Sequence, residues 1–517
     1  MPRAIGIDLG TTFSCLAFLD GESPTVIPNL DGSRTTPSVV SFTSEGEELV
    51  GNLALRQAVI NPEKTIHAVK RLIGKKFNSP EVVDSRKRLP YKLLSAENGD
   101  VLIDIGHQKI SPQEISSLVL SYLKNSAEFY FGEPVSDAVI TVPANFDDRQ
   151  RQATKDAAKI AGLNVMRIIN EPTAASLAYG LHSKDEITIA VYDLGGGTFD
   201  ITLLEMNAGV FHILATDGNS HLGGEDIDNR IVDWILKKFH KDNGIDITKD
   251  KLALQRLKEA SEKAKKELSF TKETEINLPF ISSDDTGSRH IKMTLTRDVL
   301  EDLSKDLINS TIPYIDKVIQ ETGLGPDDID DVILVGGQTR MPYIRDMLTK
   351  YFEQEPVSDI NPDEVVAMGA AIQSGILSGE IHGTALLLDV TPLSLGIEAE
   401  KNKFVKIIER NTTIPTSKLM PFTTTENFQR SVKIHVLQGE SQKASENRSL
   451  AVFDLLGIEG APAGIPQINI KFSIDADGIA QVSAEDVATG RKQKVQVNPS
   501  SGLTKEEVEE IMQRAKK

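Results

Sequence analysis

Cysteine is almost missing from this chain: Cys15 is the only one in 517 residues. An internal disulfide is therefore excluded, and a reducing compartment is expected. Cys15 falls in an apolar stretch, so it reads as a small core residue rather than a reactive thiol. Positive charge is scarce too, with 57 Lys and Arg against 75 Asp and Glu and a net charge of −18. That balance argues against nucleic acid as a partner, because a phosphate backbone needs a basic face. No apolar run approaches the length of a membrane span, so no membrane association is expected. The first strand-like segment begins within a few residues of Met1, leaving no room for the basic and apolar regions of a secretory leader. A cytoplasmic protein is the expectation.

What the chain does contain is a repeat. Ile5-Gly6-Ile7-Asp8-Leu9-Gly10-Thr11-Thr12-Phe13 returns as Ala190-Val191-Tyr192-Asp193-Leu194-Gly195-Gly196-Gly197-Thr198-Phe199. Each copy is an apolar strand, an Asp, a Gly/Thr turn and a second apolar strand. Glycines let backbone amides crowd against an anion, and threonine hydroxyls add donors. An Asp leaving the strand end suits a hydrated cation, most plausibly Mg²⁺, on the phosphates. Either turn alone would usually do no more than close a hairpin. The pair, about 185 positions apart, points to two related lobes with a nucleotide clamped between them.

Up to about residue 380, strand-like and helix-like segments alternate as in α/β domains. Ala138–Pro143 reads as a buried strand and 147–162 as a helix with Ala153, Ala157, Ala158 and Ala161 at helical spacing. A strand over 165–169 runs into Glu171-Pro172, where proline suits a first helical turn. A charged helix is expected over about 251–268. Ala385-Leu386-Leu387-Leu388-Asp389 is a short apolar run followed by Pro392. On the residues alone it fits a buried strand as well as a connector. From 391 to about 500 the pattern is all-β: Ile468, Ile470, Phe472 and Ile474 alternate with polar residues, Asp477-Gly478 supplies a hairpin turn, and Ala480, Val482 and Ala484 resume the alternation. Thr489-Gly490 makes a second turn. Thr504 with Glu507 has capping-box spacing and opens a final helix. A third glycine turn, Gly336-Gly337-Gln338-Thr339-Arg340, follows the buried strand Val332–Val335, and its small residues would let backbone lie flat against a purine.

With that turn the chain resembles the heat shock protein 70 family, the DnaK-type molecular chaperones. The resemblance spans essentially the whole chain. It rests on the two Asp-Leu-Gly turns, on Lys70-Arg71-Leu72-Ile73-Gly74, on Ile169-Asn170-Glu171-Pro172-Thr173-Ala174-Ala175, on Gly336 to Pro342, on Leu386 to Pro392 and on Ile434-His435-Val436-Leu437-Gln438-Gly439-Glu440. It implies a multidomain α/β plus all-β protein. An actin-like two-lobed ATPase domain would occupy 1–382, an apolar linker 383–390, a β-sandwich for extended peptides 391–501 and the start of a helical lid 502–517.

The resemblance also implies roles. Asp8, Glu171 and Asp193 would surround Mg²⁺, mostly through water, with K⁺ a further candidate cation. Lys70 would orient the attacking water and offset charge on the transferred phosphoryl, with Thr198 and Asp200 hydrogen-bonding that water. Gly10, Thr11, Thr12, Phe13, Gly195, Gly196 and Gly197 would hold the phosphates of ATP or ADP. Glu262, Lys265, Lys266 and Ser269, with Gly336, Gly337, Gln338, Arg340 and Asp363, would hold the adenosine. Some relatives stack an arginine at the position of Lys266, and lysine stacks less well. Pro143 and Arg151 would relay the nucleotide state. Arg167, Asn170, Thr173 and Asp389 would meet a J-domain partner beside the linker leucines Leu386, Leu387 and Leu388. That linker would dock in one state and be exposed in the other, which displaces the buried-strand reading. A GrpE-type exchange factor and unfolded polypeptides complete the expected partners.

In the β domain, Leu395, Ile397, Phe422, Val432 and Ile434 would take an apolar peptide side chain. Two departures stand out. Glu398-Ala399-Glu400-Lys401-Asn402 lacks the usual Gly-Gly, and Glu400 and Thr425 hold the arch positions over the peptide, so weaker clamping or a bias to basic segments is expected. The chain also ends at the first lid helix, before any Glu-Glu-Val-Asp tail, and a lidless form would release peptide faster. A small-molecule kinase on the same fold would need an acceptor pocket with a base, for which no motif is evident. A filament-forming actin relative would not need residues 391–500.

Overall fold

The computed structural model describes residues 3–180, 186–285, 287–357, 360–381, 386–496 and 502–515. Two sheets of the same design lie side by side. In the first, Ala4–Asp8 runs antiparallel to Phe13–Asp20 and parallel to Asp137–Val142, which pairs in parallel with Asn164–Asn170. In the second, Ile187–Leu194 runs antiparallel to Phe199–Asn207 and parallel to Asp331–Val335. The two Asp-Leu-Gly turns are therefore equivalent hairpin connections. Their strands lack polar alternation because both faces are covered. Ile5 and Ile7 share a core with Val119, Leu123, Ala153 and Ala157 from the helices Pro112–Phe131 and Asp148–Ile160. Tyr192, Phe199 and Ile201 pack with Ile231, Ile235 and Leu257 from the helices Gly224–Asn243 and Lys251–Glu267.

Between the sheets, the helices Glu171–Gly180 and Val365–Ser378 approach almost backbone to backbone. A Cβ on Gly369 would lie 1.7 Å from the Ala174 carbonyl oxygen, and one on Gly6 would lie 2.1 Å from the Ala371 nitrogen. No larger residue fits at either place.

The expected all-β region forms two four-stranded sheets. One orders Lys403–Ile408, Leu395–Ala399, Ser431–Gln438 and Arg448–Leu456; the other orders Thr416–Phe422, Ile468–Ile474, Ala480–Asp486 and Lys492–Gln496. The alternating residues Ile468, Ile470, Phe472, Ile474, Ala480, Val482 and Ala484 form its core with Ile434 and Val436. The final helix, Lys505–Ala515, begins with the reciprocal Thr504–Glu507 bonds of a capping box and sets Val508 and Ile511 on Ile160.

One expectation is corrected here. Leu386–Val390 is a strand, pairing in parallel with Val210–Asn219 on one edge and antiparallel with Thr413–Ile414 on the other. Leu387 is 6% exposed in the core beneath, whereas Leu386 is 51% exposed. Ladder hydrogen bonds and one buried leucine hold it, so the segment is a strand, the reading set aside above, docked on the edge of the second sheet. Residues 383–385 of the expected linker lie outside the described residues.

The β-sandwich is seated mainly on the first lobe and touches the second. Asp477, in the predicted hairpin turn, accepts hydrogen bonds from Lys155 Nζ at 2.6 Å and the Ile168 amide at 2.9 Å. Arg448 pairs with Asp147, which also caps the helix Asp148–Ile160. Arg410 donates to the Thr216 carbonyl and pairs with Glu321 at 3.1 Å. Asp148 Oδ1 accepts from the Ala480 amide at 2.6 Å, while Oδ2 is buried with no hydrogen-bond partner.

Burial pushes the Asp148 carboxyl up from 3.8 to about 7. A carboxyl whose seated pKa is raised opposes seating when ionised. The opposition is absent below about pH 4, grows as pH rises and is complete above about 7. Seating should therefore strengthen roughly tenfold from pH 8 to pH 6, and Asp148→Asn should remove most of that dependence. Protection of the Ala480 amide against hydrogen exchange, corrected for intrinsic rate, measures it; a pH-independent protection ratio in the parent protein would refute the assignment.

Candidate active site

A cavity of about 430 Å³ opens between the lobes. The first turn contributes Gly10, Thr11, Thr12 and Phe13; the second, Gly195, Gly196 and Thr198; the third, Gly336, Gly337, Gln338 and Arg340. Gly336 has φ +82, and a Cβ there would sit 2.5 Å from the Leu194 carbonyl carbon. Glycine thus seats the third turn directly on the second.

The buried end of the cavity collects charge. Asp8 and Asp193 leave their strands there, Glu171 begins its helix, and Lys70 reaches in from the short turn Val69–Arg71. Lys70 is 7% exposed and its Nζ lies 2.5 Å from Glu171 Oε1. Thr141 Oγ1 donates to Asp8 at 3.3 Å. Burial, reinforced by Glu171, pushes the Asp8 carboxyl up to about 7, and the same two causes push Asp193 up. Three acids facing one ammonium in little water call for added positive charge. Carboxylates of this kind suit a hard, hydrated cation; among the described residues no three His, Cys, Asp or Glu side chains converge closely enough to bind a metal directly.

The exposed end is lined by Glu262, Lys265, Lys266, Ser269 and Asp363. Glu262 holds Lys266 at 2.6 Å, and that ammonium lies 4.8 Å from the centre of the Phe13 ring on the opposite lobe. Lys265 pairs with Asp228 and donates to the Gly224 carbonyl, both at 2.9 Å. Arg340 is held by Asp363 at 2.6 Å and Asn361 at 2.9 Å.

Two expected residues do not line the cavity. Asp200 accepts from the Ala144 amide at 3.0 Å and from Asn145 Nδ2 at 2.5 Å, so its carboxylate is engaged by the opposite lobe rather than facing a water in the cleft. Gly197 turns its carbonyl to Arg71 Nε at 3.1 Å, behind the wall.

Around the linker strand, Arg151 donates to Asn170 at 2.6 Å, and Asn170 donates to Asp389 at 2.7 Å. Thr173 Oγ1 lies 3.4 Å from the same carboxylate. Burial pushes the Asp389 carboxyl above its ordinary range, opposed by the Arg151 charge and, more weakly, by that of Arg167; the Pro143 carbonyl accepts from the Phe146 amide. In the sandwich, Leu395, Ile397 and Ile434 are buried in the core, with Phe422 and Val432 half-buried at its margin. Glu400 is exposed at the start of the turn Glu400–Asn402, where Lys401 and Asn402 have φ of 60° and 61°. Non-glycine residues rarely adopt that conformation, and Asn402 is held in it by two 2.8 Å bonds with Ser445. Thr425 is exposed, its amide donating to Gln429.

A family model described as Hsp70 protein matches residues 4–517. The chain belongs to the Hsp70 family. Hsp70 proteins are ATPases that bind ATP and ADP with Mg²⁺, and they act as ATP-dependent chaperones on unfolded polypeptides with the help of co-chaperones. No helix among the described residues of this Hsp70 is long and apolar enough to cross a membrane.

Several residues of this Hsp70 carried no expectation. Thr35, Gly224, Glu225, Asp228, Lys258 and Phe270 line the cavity, and Arg71 bridges the lobes through Asp226. Asp147, Asp148, Arg448, Arg410 and Asp477 seat the sandwich. Arg71, Asp147, Asp148, Lys258 and Asp477 stood in segments singled out from the sequence, but none of those segments signalled a partner in another domain.

Lys70→Ala should lower ATP hydrolysis by about 10²–10³-fold while ATP affinity changes little, since its ammonium faces the acid cluster and not the nucleoside end. Single-turnover hydrolysis beside equilibrium titration separates the two; an equal loss of binding would remove Lys70 from the chemistry.

Proposed function

We propose that this chain is an ATP-driven peptide-binding chaperone of the cytoplasm, divided into an ATPase domain (1–382), a linker (383–390), a peptide-binding β domain (391–501) and the beginning of a lid (502–517). The observation that carries the reading is the junction at Asp389. One carboxylate, on the strand that joins the lobes to the sandwich, is tied through Asn170 to Arg151 and directly follows the paired edge that ends at Leu388. Asn170 immediately precedes Glu171, which bonds Lys70. A change at the phosphate end therefore reaches the linker through consecutive residues.

In this reading Lys70 orients the attacking water and balances charge on the transferred phosphoryl, and Glu171 holds Lys70. Asp8, Asp193 and Glu171 hold the water shell of Mg²⁺, which when bound neutralises phosphate charge. Gly10 to Phe13, Gly195, Gly196 and Thr198 receive the phosphates. Glu262, Lys265, Lys266, Ser269, Gly336, Gly337, Gln338, Arg340 and Asp363 receive the adenosine. K⁺ is a second candidate cation. Pro143, Arg151, Arg167, Asn170, Thr173 and Asp389 form the relay and the surface for a J-domain co-chaperone, and a GrpE-type factor exchanges nucleotide. Leu395, Ile397, Phe422, Val432 and Ile434 supply the apolar peptide contacts, which requires that the sandwich loosen from its closed core. Glu400 and Thr425 flank the bound peptide.

Fluorescence anisotropy of a labelled, Leu-rich extended peptide tests the coupling. ATP should release the peptide, and retention on adding ATP would overturn the reading. Leu387→Asp places a charge under the linker strand, so it should abolish ATP-driven release while hydrolysis persists. Glu400→Met should tighten the same peptide by roughly 5- to 10-fold, the equivalent of about 1 kcal/mol of apolar contact; an unchanged affinity would show that the arch selects little.

A further inference from the structure

Behind the phosphate turn lies a second, polar cavity of about 50 Å³, lined by Arg71, Asp84, Arg88, His221, Asp226 and Asn229. It shares Glu225 and Lys258, 3.5 Å apart, with the main cavity, so that pair forms the partition between the two. Against it, 3.7 Å from Glu225, stands Arg71. Its Nε holds the Gly197 carbonyl at 3.1 Å on the phosphate-turn side, and its terminal nitrogens grip Asp226 at 3.2 and 2.5 Å on the other. A Cβ on Gly197 would lie 3.0 Å from Arg71 Nε and 2.5 Å from Thr11 Cγ2, so nothing bulkier than backbone stands between the turn and the guanidinium.

We propose that this second cavity is the exit route for inorganic phosphate and that Arg71 is its gate. The proposal rests on the reading of the main cavity as an ATPase site. Phosphate is released at the buried end, beside Lys70, while ADP still fills the nucleoside end beneath Lys266, Phe13 and Arg340. An anion deeper than ADP leaves first only through another opening. The second cavity has room for about three or four waters as it stands, too little for phosphate until the guanidinium swings off Asp226. Guanidinium binds phosphate in the same two-pronged way that it binds carboxylate, so the arriving anion can replace Asp226 as its partner. Beyond it, His221 Nδ1 is buried without a partner, and Arg88 stands at the half-exposed rim paired with Asp233 at 3.1 Å.

The test uses two variants outside the catalytic machinery: Asn229→Trp, which fills the passage, and Arg88→Glu, which puts an anion at its rim. In a single turnover of ATP, quenched samples report ADP formation, a fluorescent phosphate-binding sensor reports free phosphate, and a fluorescent nucleotide reports ADP departure. The expected result is unchanged ADP formation with phosphate appearing at least fivefold later in either variant, and still ahead of ADP departure. Phosphate keeping pace with cleavage in both variants overturns the route, as does phosphate that leaves the parent protein only together with ADP. Absence of ADP formation by the parent protein overturns the ATPase reading instead, and the exit with it.

Discussion

Three carboxylates and one ammonium share the buried end of a single cleft, and most of the molecule is arranged around that imbalance. Asp8 and Asp193 come from symmetry-related strand ends, so neither can withdraw without breaking its sheet. Glu171 opens a helix that passes close beside its neighbour, and Lys70 stands on a turn too short to move far. Their charges cannot relax by rearrangement; they relax by taking up counter-charge. A nucleotide bringing a hydrated cation meets a site already short of positive charge, and the lobes gain a reason to close on it.

The scaffold that makes this possible is built from small residues. Gly6, Gly369 and Ala174 allow the two central helices and the first strand to meet at backbone distance. Contact of that kind resists shear and leaves no room for a side chain between the elements. Charge at the cleft and close packing at its base are thus complementary: one draws in counter-charge and the other fixes the separation of the lobes. The sandwich enters through residues that are themselves structural elsewhere, since Asp147 caps a helix and Asn170 ends a strand.

Much of this was legible in the sequence because it is periodic. Alternation at Ile468 to Ile474, helical spacing of alanines from Ala153 to Ala161, and the repeated Asp-Leu-Gly turn each report a local geometry. Of the residues expected at the cleft, all but Asp200 and Gly197 line it, whereas Thr35, Gly224, Glu225, Asp228, Lys258 and Phe270 line it without a motif to announce them. Asp200 has the same local setting as Asp193 across the hairpin, and only the position of the Ala144–Asn145 loop decides which carboxylate faces the cleft. The strand at Leu386–Val390 was lost for a similar reason: its ladder partner lies far away at Val210–Asn219, and three leucines cannot say which of them will be covered. Asp477 was placed correctly in a turn, but its bonds to Lys155 and Ile168 belong to docking, which leaves no periodic trace.

The second lobe's sheet runs on through Leu386–Val390 to Thr413–Ile414, so two domains share one continuous ladder. While the ladder holds, the edge of Val210–Asn219 is capped, and so is the backbone of the linker. Parting them uncovers two rows of unsatisfied amides and carbonyls at once, which is the kind of edge that recruits stray strands. A member of a family that handles unfolded chains would thus expose such an edge of its own if this ladder parted, and the brevity of the segment, with an acidic residue directly after its leucines, limits how long a template it offers.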